Sequence, residues 1–246
     1  ANDNFKIYVA ETKKIGSKYI YSVHGGGLTL KMHPYFDFFE RISDKIIRWD
    51  NTEQKKLFVN LSPTLPVIEL KNPKIGNYCS IVFCEHPKYI RKFITGPVFD
   101  QSINLFDELI EFVNQLNPEI KSKVKFRAKA VGDYNFVKRL SKIFGEENIS
   151  KVSTKKPFNK IILNSKLIIV TYPQTAFSEA MHSNIPTILI VKKKHYQFSK
   201  AALHTFNVLE ENKIAFEDFN KAKIHITKHW KEIDTWWKRK NVQSAR

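Results

Sequence analysis

A chain of 246 residues with 42% apolar residues is long enough to bury a sizeable core. No apolar run approaches the roughly 20 residues that cross a bilayer as a helix, and no apolar signal segment opens the chain, so an integral membrane protein is not expected. The formal charge of +17 invites anionic partners, and the two cysteines, Cys79 and Cys84, match neither a disulfide framework nor a C-x-x-C pair, which fits a reducing cytoplasm.

Phe5 to Ile15 carries apolar residues at helical spacing, and Gly16 is placed to stop the helix. Lys18 to Val23 predicts a strand that ends at His24-Gly25-Gly26-Gly27. Asp37 to Ser43 predicts a helix and Lys45 to Trp49 a short strand. Residues 50–76 lack periodicity and hold Pro63, Pro66 and Pro73, so a boundary falls there, with the linker set at 61–76. A strand over Cys79–Cys84, a helix over Ile103–Leu116, a strand over Lys123–Lys129 and a helix over Asn135–Phe144 follow. Next come a strand at 167–170, a helix at 175–183, a strand at 186–191, and helices around 196–212 and 219–240. Strands alternating with helices predict an α/β fold, with Rossmann-like parallel sheets covered by helices on both faces. No internal repeat or low-complexity segment interrupts the alternation.

The densest chemistry lies in Lys166 to Ile190. Leu167 to Val170 is an apolar, largely β-branched run that suits a parallel strand buried on both faces. Thr171, Gln174 and Thr175 follow where that strand ends and a helix begins, the place in an open α/β sheet where phosphorylated ligands bind. Ser178 and Glu179 lie one helical turn on, so hydroxyls and an acid at this spacing suit a phosphate and a ribose diol. The competing reading makes Thr175 a helix N-cap, with Ser178 or Glu179 completing a capping box. Arg127 and Lys129 alternate on one face at the end of their strand, as a phosphate clamp or as a solvated edge. Glu85 and His86 end the strand before them.

His24 precedes a glycine turn at a strand's carboxyl end, where Gly25 and Gly26 let backbone approach a ligand. It suits a general base or a structural hydrogen-bonder. The glycines match neither G-x-G-x-x-G nor a P-loop. His182, His195, His204, His225 and His229 show no metal-ligand spacing and read as surface residues. Trp230, Trp236 and Trp237 read as packing one last helix back across the lobes. Lysine outnumbers arginine and is scattered, with no zinc-finger spacing or RNP-like motif, which argues against a dedicated nucleic-acid module.

Taken together, Val23-His-Gly-Gly-Gly-Leu28 and Glu40-Arg-Ile-Ser-Asp-Lys-Ile-Ile-Arg-Trp49 resemble a family of sugar transferases encoded in bacterial surface-carbohydrate loci. The strand with Arg127, the block Tyr172-Pro-Gln-Thr-Ala-Phe-Ser-Glu-Ala180 with Asn184-Ile-Pro-Thr187, and the closing Trp236-Trp237 with Val242-Gln243 extend the resemblance over nearly the whole chain in the family's order. The resemblance implies a GT-B glycosyltransferase of two Rossmann-like lobes. Residues 1–60 would be the remnant of a truncated first lobe, inactive alone, 77–218 the nucleotide-sugar lobe, and 219–246 a helix packing across both. It carries over to His24, Gly25 and Gly26 at the lobe interface, where His24 is the candidate catalytic base, and Glu85 and His86, at a strand end, are expected in the same interlobe cleft. Arg127, Thr175 and Glu179 carry over to the donor pocket, which Lys129, Thr171, Gln174 and Ser178 are expected from their positions to line with them.

Neither a metal nor a cofactor is implied beyond the nucleotide-sugar substrate. The expected partners are that donor, a glycan or lipid-linked acceptor, and an anionic membrane surface, with a cytoplasmic location and peripheral attachment at the inner face of the membrane. A sugar-nucleotide epimerase of the same build, or a non-catalytic basic protein that binds nucleic acid or membrane, stays open beside the transferase.

Overall fold

A computed structural model describes residues 3–22, 34–48, 55–61, 76–85, 96–128, 134–150, 158–196, 198 and 200–246. His24, Gly25, Gly26, His86 and Lys129 lie outside the described residues.

The first unit is small. Helix α1 (Asp3–Lys14) ends at Gly16, whose positive φ of 90° is the left-handed turn that glycine takes without steric cost. Strands β1 (Ile20–Ser22), β2 (Lys45–Arg48) and β3 (Phe58–Asn60) form a parallel sheet in that order, with α2 (Pro34–Ile42) crossing between the first two. Asp44 ties the crossover together: its carboxylate accepts from the Tyr19 N–H at 2.6 Å and pairs with Lys13 at 2.8 Å. β3 lies within the stretch read as structureless, because three residues show no alternation that a sequence pattern can register.

The second unit carries the main core. Strands β4 (Tyr78–Phe83), β5 (Val124–Ala128), β6 (Ser165–Val170), β7 (Thr187–Ile190) and β8 (Ala215–Phe216) form one parallel sheet in the order β5-β4-β6-β7-β8. Ile81, Leu167, Ile168, Ile169, Val170 and Ile188 are fully buried, as the continuous apolar runs require of strands covered on both sides. Helices α3 (Phe99–Asn114), α4 (Pro118–Lys121), α5 (Phe136–Phe144), α6 (Phe158–Asn164), α7 (Thr175–His182) and α8 (Lys200–Glu211) fill the crossovers. Right-handed connections put α3 on one face and α6, α7 and α8 on the other. Phe112 of α3 meets Phe219 at a ring distance of 5.5 Å, so the chain after β8 returns to α3's face.

The stretch read as one helix over 219–240 is three: α9 (Phe219–His229), α10 (Ile233–Trp237) and α11 (Lys240–Ala245). The buried positions Phe219, Ala222, Ile226, Trp230, Ile233 and Trp237 keep helical spacing through the first break, which hides it from the pattern. The indoles tie these helices to the second unit. Trp230 Nε1 donates to Glu119 at 3.0 Å, and Trp237 Nε1 donates to the Asn184 side-chain oxygen at 2.9 Å. Cys79 and Cys84 are free thiols, and burial pushes the Cys79 thiol up to about 12. Among the described residues no helix is long and apolar enough to cross a membrane.

The reading of His225 as a surface residue is corrected. Its ring stands 4.8 Å from Trp236 and 5.5 Å from Phe216, and burial pushes its pKa down from 6.5 to about 4. The neutral ring is thus favoured in the folded chain, while the unfolded chain protonates first as pH falls. Stability should therefore be complete above pH 6.5 and decline as pH drops towards 4, and His225→Gln should flatten that part of a melting-temperature profile.

Candidate donor-binding crevice

The chain leaves β4 to one side through α3 to form β5, then crosses back over β4 to form β6 on the other side. Between the carboxyl ends of β4 and β6 the crossovers diverge, and such a switch point leaves a crevice open to a ligand. The two strands stay joined up to its edge, where the Thr171 N–H donates to Val82 O at 3.0 Å.

The turn after β6 opens α7 on this crevice. Gln174 has extended backbone and is the residue before the helix, and its carbonyl accepts from the Phe177 N–H at 2.9 Å. Thr175 is thus the first helical residue, which overturns its reading as the N-cap. No side-chain oxygen caps α7 from position 174, so the capping box is absent. Thr171, Gln174, Thr175, Ser178 and Glu179 are all partly exposed, whereas Tyr172 and Pro173 between them are buried. The turn presents its polar side chains and buries its aromatic one.

Arg127 approaches the same end of the sheet from β5, on the far side of β4. It is level with Val82, which is in turn level with Val170, the residue before Thr171. Partial burial lowers the guanidinium pKa, while the phenol of Tyr172 and the carboxylate of Glu179 act against that shift. The three groups therefore share one electrostatic environment, and the guanidinium also lies 5.6 Å from the Phe158 ring. Arg127 is thus partly buried on the outermost strand, close enough to Tyr172 and Glu179 to feel their charge. Burial, with Cys84 and Glu179 nearby, raises the Tyr172 phenol far above its ordinary value, so it stays a neutral hydroxyl.

Glu85 follows β4 at the crevice end of the sheet, and only 2% of it is exposed. One of its oxygens accepts from the Tyr134 N–H at 2.8 Å and the Phe136 N–H at 3.3 Å, which anchors the start of α5. That start needs an outside acceptor, because Asn135 sits in the left-handed region at φ 55° and its own side chain makes no cap bond. Glu85 thus has a structural task that its sequence context did not signal. Phe83, Cys84, Thr171, Tyr172, Ile190 and Tyr196 help to line a cavity of about 40 Å³, which is too small for a nucleotide.

Arg127, Thr171, Gln174, Thr175, Ser178 and Glu179 thus come from β5, the turn after β6 and α7, at one end of one sheet. Tyr172 was not singled out from sequence, although its place directly after the strand end was the available signal. Among the described residues no three His, Cys, Asp or Glu side chains converge as a metal site.

Residues 1–246 match the model of the LIC12162 family transferase. A search of curated proteins found no match. Among solved structures, S. aureus TarM, in complex with fondaparinux, alpha-GlcNAc-glycerol and UDP, is 14% identical with a TM-score of 0.52. The match covers 96% of this chain and 49% of TarM. The wall teichoic acid polymerase TagF is 12% identical with a TM-score of 0.47, over 94% of this chain and 66% of TagF. The chain therefore spans about half to two thirds of the length of these proteins, and the TarM match shows the same α/β fold. With its whole length matched by the family model, the chain belongs to the LIC12162 family of transferases.

Proposed function

We propose that this chain holds the donor-binding part of a glycosyltransferase that moves a sugar from a nucleotide-activated donor to a hydroxyl on a surface-polysaccharide or lipid-linked acceptor. The observation that carries the reading is Arg127, half-buried at the switch-point crevice with Tyr172 and Glu179. In such a transfer the bond from the sugar to the diphosphate breaks, and the departing phosphate gains negative charge. Arg127 and the N-terminal end of α7 supply positive potential there, with the Thr171, Thr175 and Ser178 hydroxyls and the Gln174 amide as further hydrogen-bond donors. Lys129 belongs with Arg127 as the second cation of the clamp. Glu179, one turn into α7, accepts from the ribose diol. His24, with Gly25 and Gly26 beside it, takes the acceptor's proton, and Glu85 and His86 border the cleft.

The assignment calls for no metal or cofactor besides the nucleotide sugar, since fixed cations and helix N–H groups meet the developing charge. A nucleotide donor is supported by TarM, whose solved structure contains UDP. The chain's net charge of +17 suits work at the inner face of an anionic membrane, where a lipid-linked acceptor would be presented. Product analysis separates transfer from epimerisation: transfer releases free nucleotide in proportion to glycosylated acceptor, whereas an epimerase leaves the nucleotide on the sugar.

Glu179 gives the most direct test of the donor site. Glu179→Ala should weaken nucleotide binding by about 1–3 kcal/mol, the range for losing a hydrogen bond to a charged group, with a much smaller change in global stability. Calorimetric titration with uridine, cytidine, guanosine and thymidine diphosphates measures this. Unchanged affinity for whichever nucleotide binds the wild type would remove Glu179 from the site.

A further inference from the structure

We propose that a second anion-binding site lies at the β8 edge of the five-stranded sheet, where Lys213, Lys228 and Arg239 hold a phosphoryl group against His225 and His229. A cavity of about 650 Å³ opens there between the end of α8, the strand β8, the outer side of α9 and the junction of α10 with α11. It is large enough for a small ligand and lies two strands along the sheet from β6, away from the donor crevice.

The charge arrangement is what calls for an anion. Lys213, Lys228 and Arg239 make no ion pair among the described residues, yet all three act on the imidazole of His225 together with His229. Burial and these cations hold His225 below its ordinary pKa, and burial with Arg239 and Lys228 does the same for His229. The two rings are 4.6 Å apart, and the His225 Nε2 is buried with no hydrogen-bond partner among the described residues. The three cations are exposed and line the cavity beside both imidazoles, so an anion there would meet positive charge from three separate segments of the chain.

Glu210, Glu211, Glu217 and Asp218 also line the cavity, and three of them have partners. Glu210 and Glu217 both bind Lys193, and Asp218 accepts from the Lys221 N–H at 2.8 Å to cap α9. Glu232 acts on His229 against these cations, and Glu211 is exposed. Lys213 itself sits just beyond α8 at φ 61°, a left-handed position where glycine is the easy choice. A lysine there places a cation on the groove at a conformational cost that a merely solvated side chain does not explain.

A bound phosphoryl group would offset the cations, so both imidazoles would gain protons on binding. The experiment follows the His225 and His229 ring resonances of the wild-type chain by NMR against pH. It does so with inorganic pyrophosphate, and separately with phosphatidylglycerol vesicles against phosphatidylcholine controls. His225 should titrate about one pH unit or more higher with the bound anion, and the Lys213→Gln/Arg239→Gln double variant should bind at least tenfold more weakly. Arg127→Gln, which alters only the donor crevice, should leave these shifts intact. A response to pyrophosphate identifies a free phosphate ligand, and a response to anionic vesicles alone identifies a lipid headgroup. If neither probe moves the His225 or His229 resonances, or if the double variant binds like the wild type, the site is refuted. The wild-type titration decides the matter even if the double variant fails to fold.

Discussion

His24→Ala should reduce turnover about a hundredfold or more while leaving donor affinity nearly intact, because a general base acts on the chemical step. The sequence sets His24 two residues past β1, at the carboxyl end of a parallel strand, and the glycines after it allow close approach of a substrate. A structural histidine would behave differently: its loss would lower the melting temperature and the donor affinity together. Steady-state kinetics paired with nucleotide titration on the catalytically competent protein separates the two outcomes. A fall in nucleotide affinity as large as the fall in turnover would refute the base assignment.

Trp236→Ala should remove about 3–5 kcal/mol of unfolding free energy, the range for deleting a large aromatic side chain from a core. Trp236 is 2% exposed, and its indole packs against His225 at 4.8 Å and Trp237 at 5.5 Å, so few neighbours can collapse into the space it leaves. Denaturant unfolding followed by circular dichroism measures the loss. Donor affinity measured well below the melting transition should change little, since Trp236 packs near β8 and the crevice lies at β4 and β6. A loss under about 1 kcal/mol would mean that the C-terminal helices contribute little to this core.

The part of the site that was legible in the sequence is the part built from neighbours in the chain. Leu167 to Glu179 places strand, turn and helix within a dozen or so residues, so periodicity and turn chemistry suffice to find them. What pairs over long separations was not legible. Nothing in Glu85 announces that its carboxylate will meet the amides of Tyr134 and Phe136 across the head of the sheet. The proximity of Arg127 to Tyr172 likewise depends on strand order, which no local pattern encodes. The short strands β3 and β8 escaped for another reason: three and two residues fall below the length at which alternation carries information. The continuous apolar spacing from Phe219 to Trp237 concealed a change of direction that the helix period alone cannot reveal.

The strand order that opens the crevice also bears on how this chain is made. β4 lies between β5 and β6, and both partners come later in the sequence, the second roughly eighty residues later. During synthesis the run Cys79–Phe83, buried in the finished sheet, must wait with both edges unpaired until β5 and then β6 emerge. At the usual pace of translation that wait lasts several seconds, long enough for an exposed apolar edge to meet another chain or a chaperone. Closing such long loops before any sheet hydrogen bond forms also makes spontaneous refolding slow, whatever the final stability.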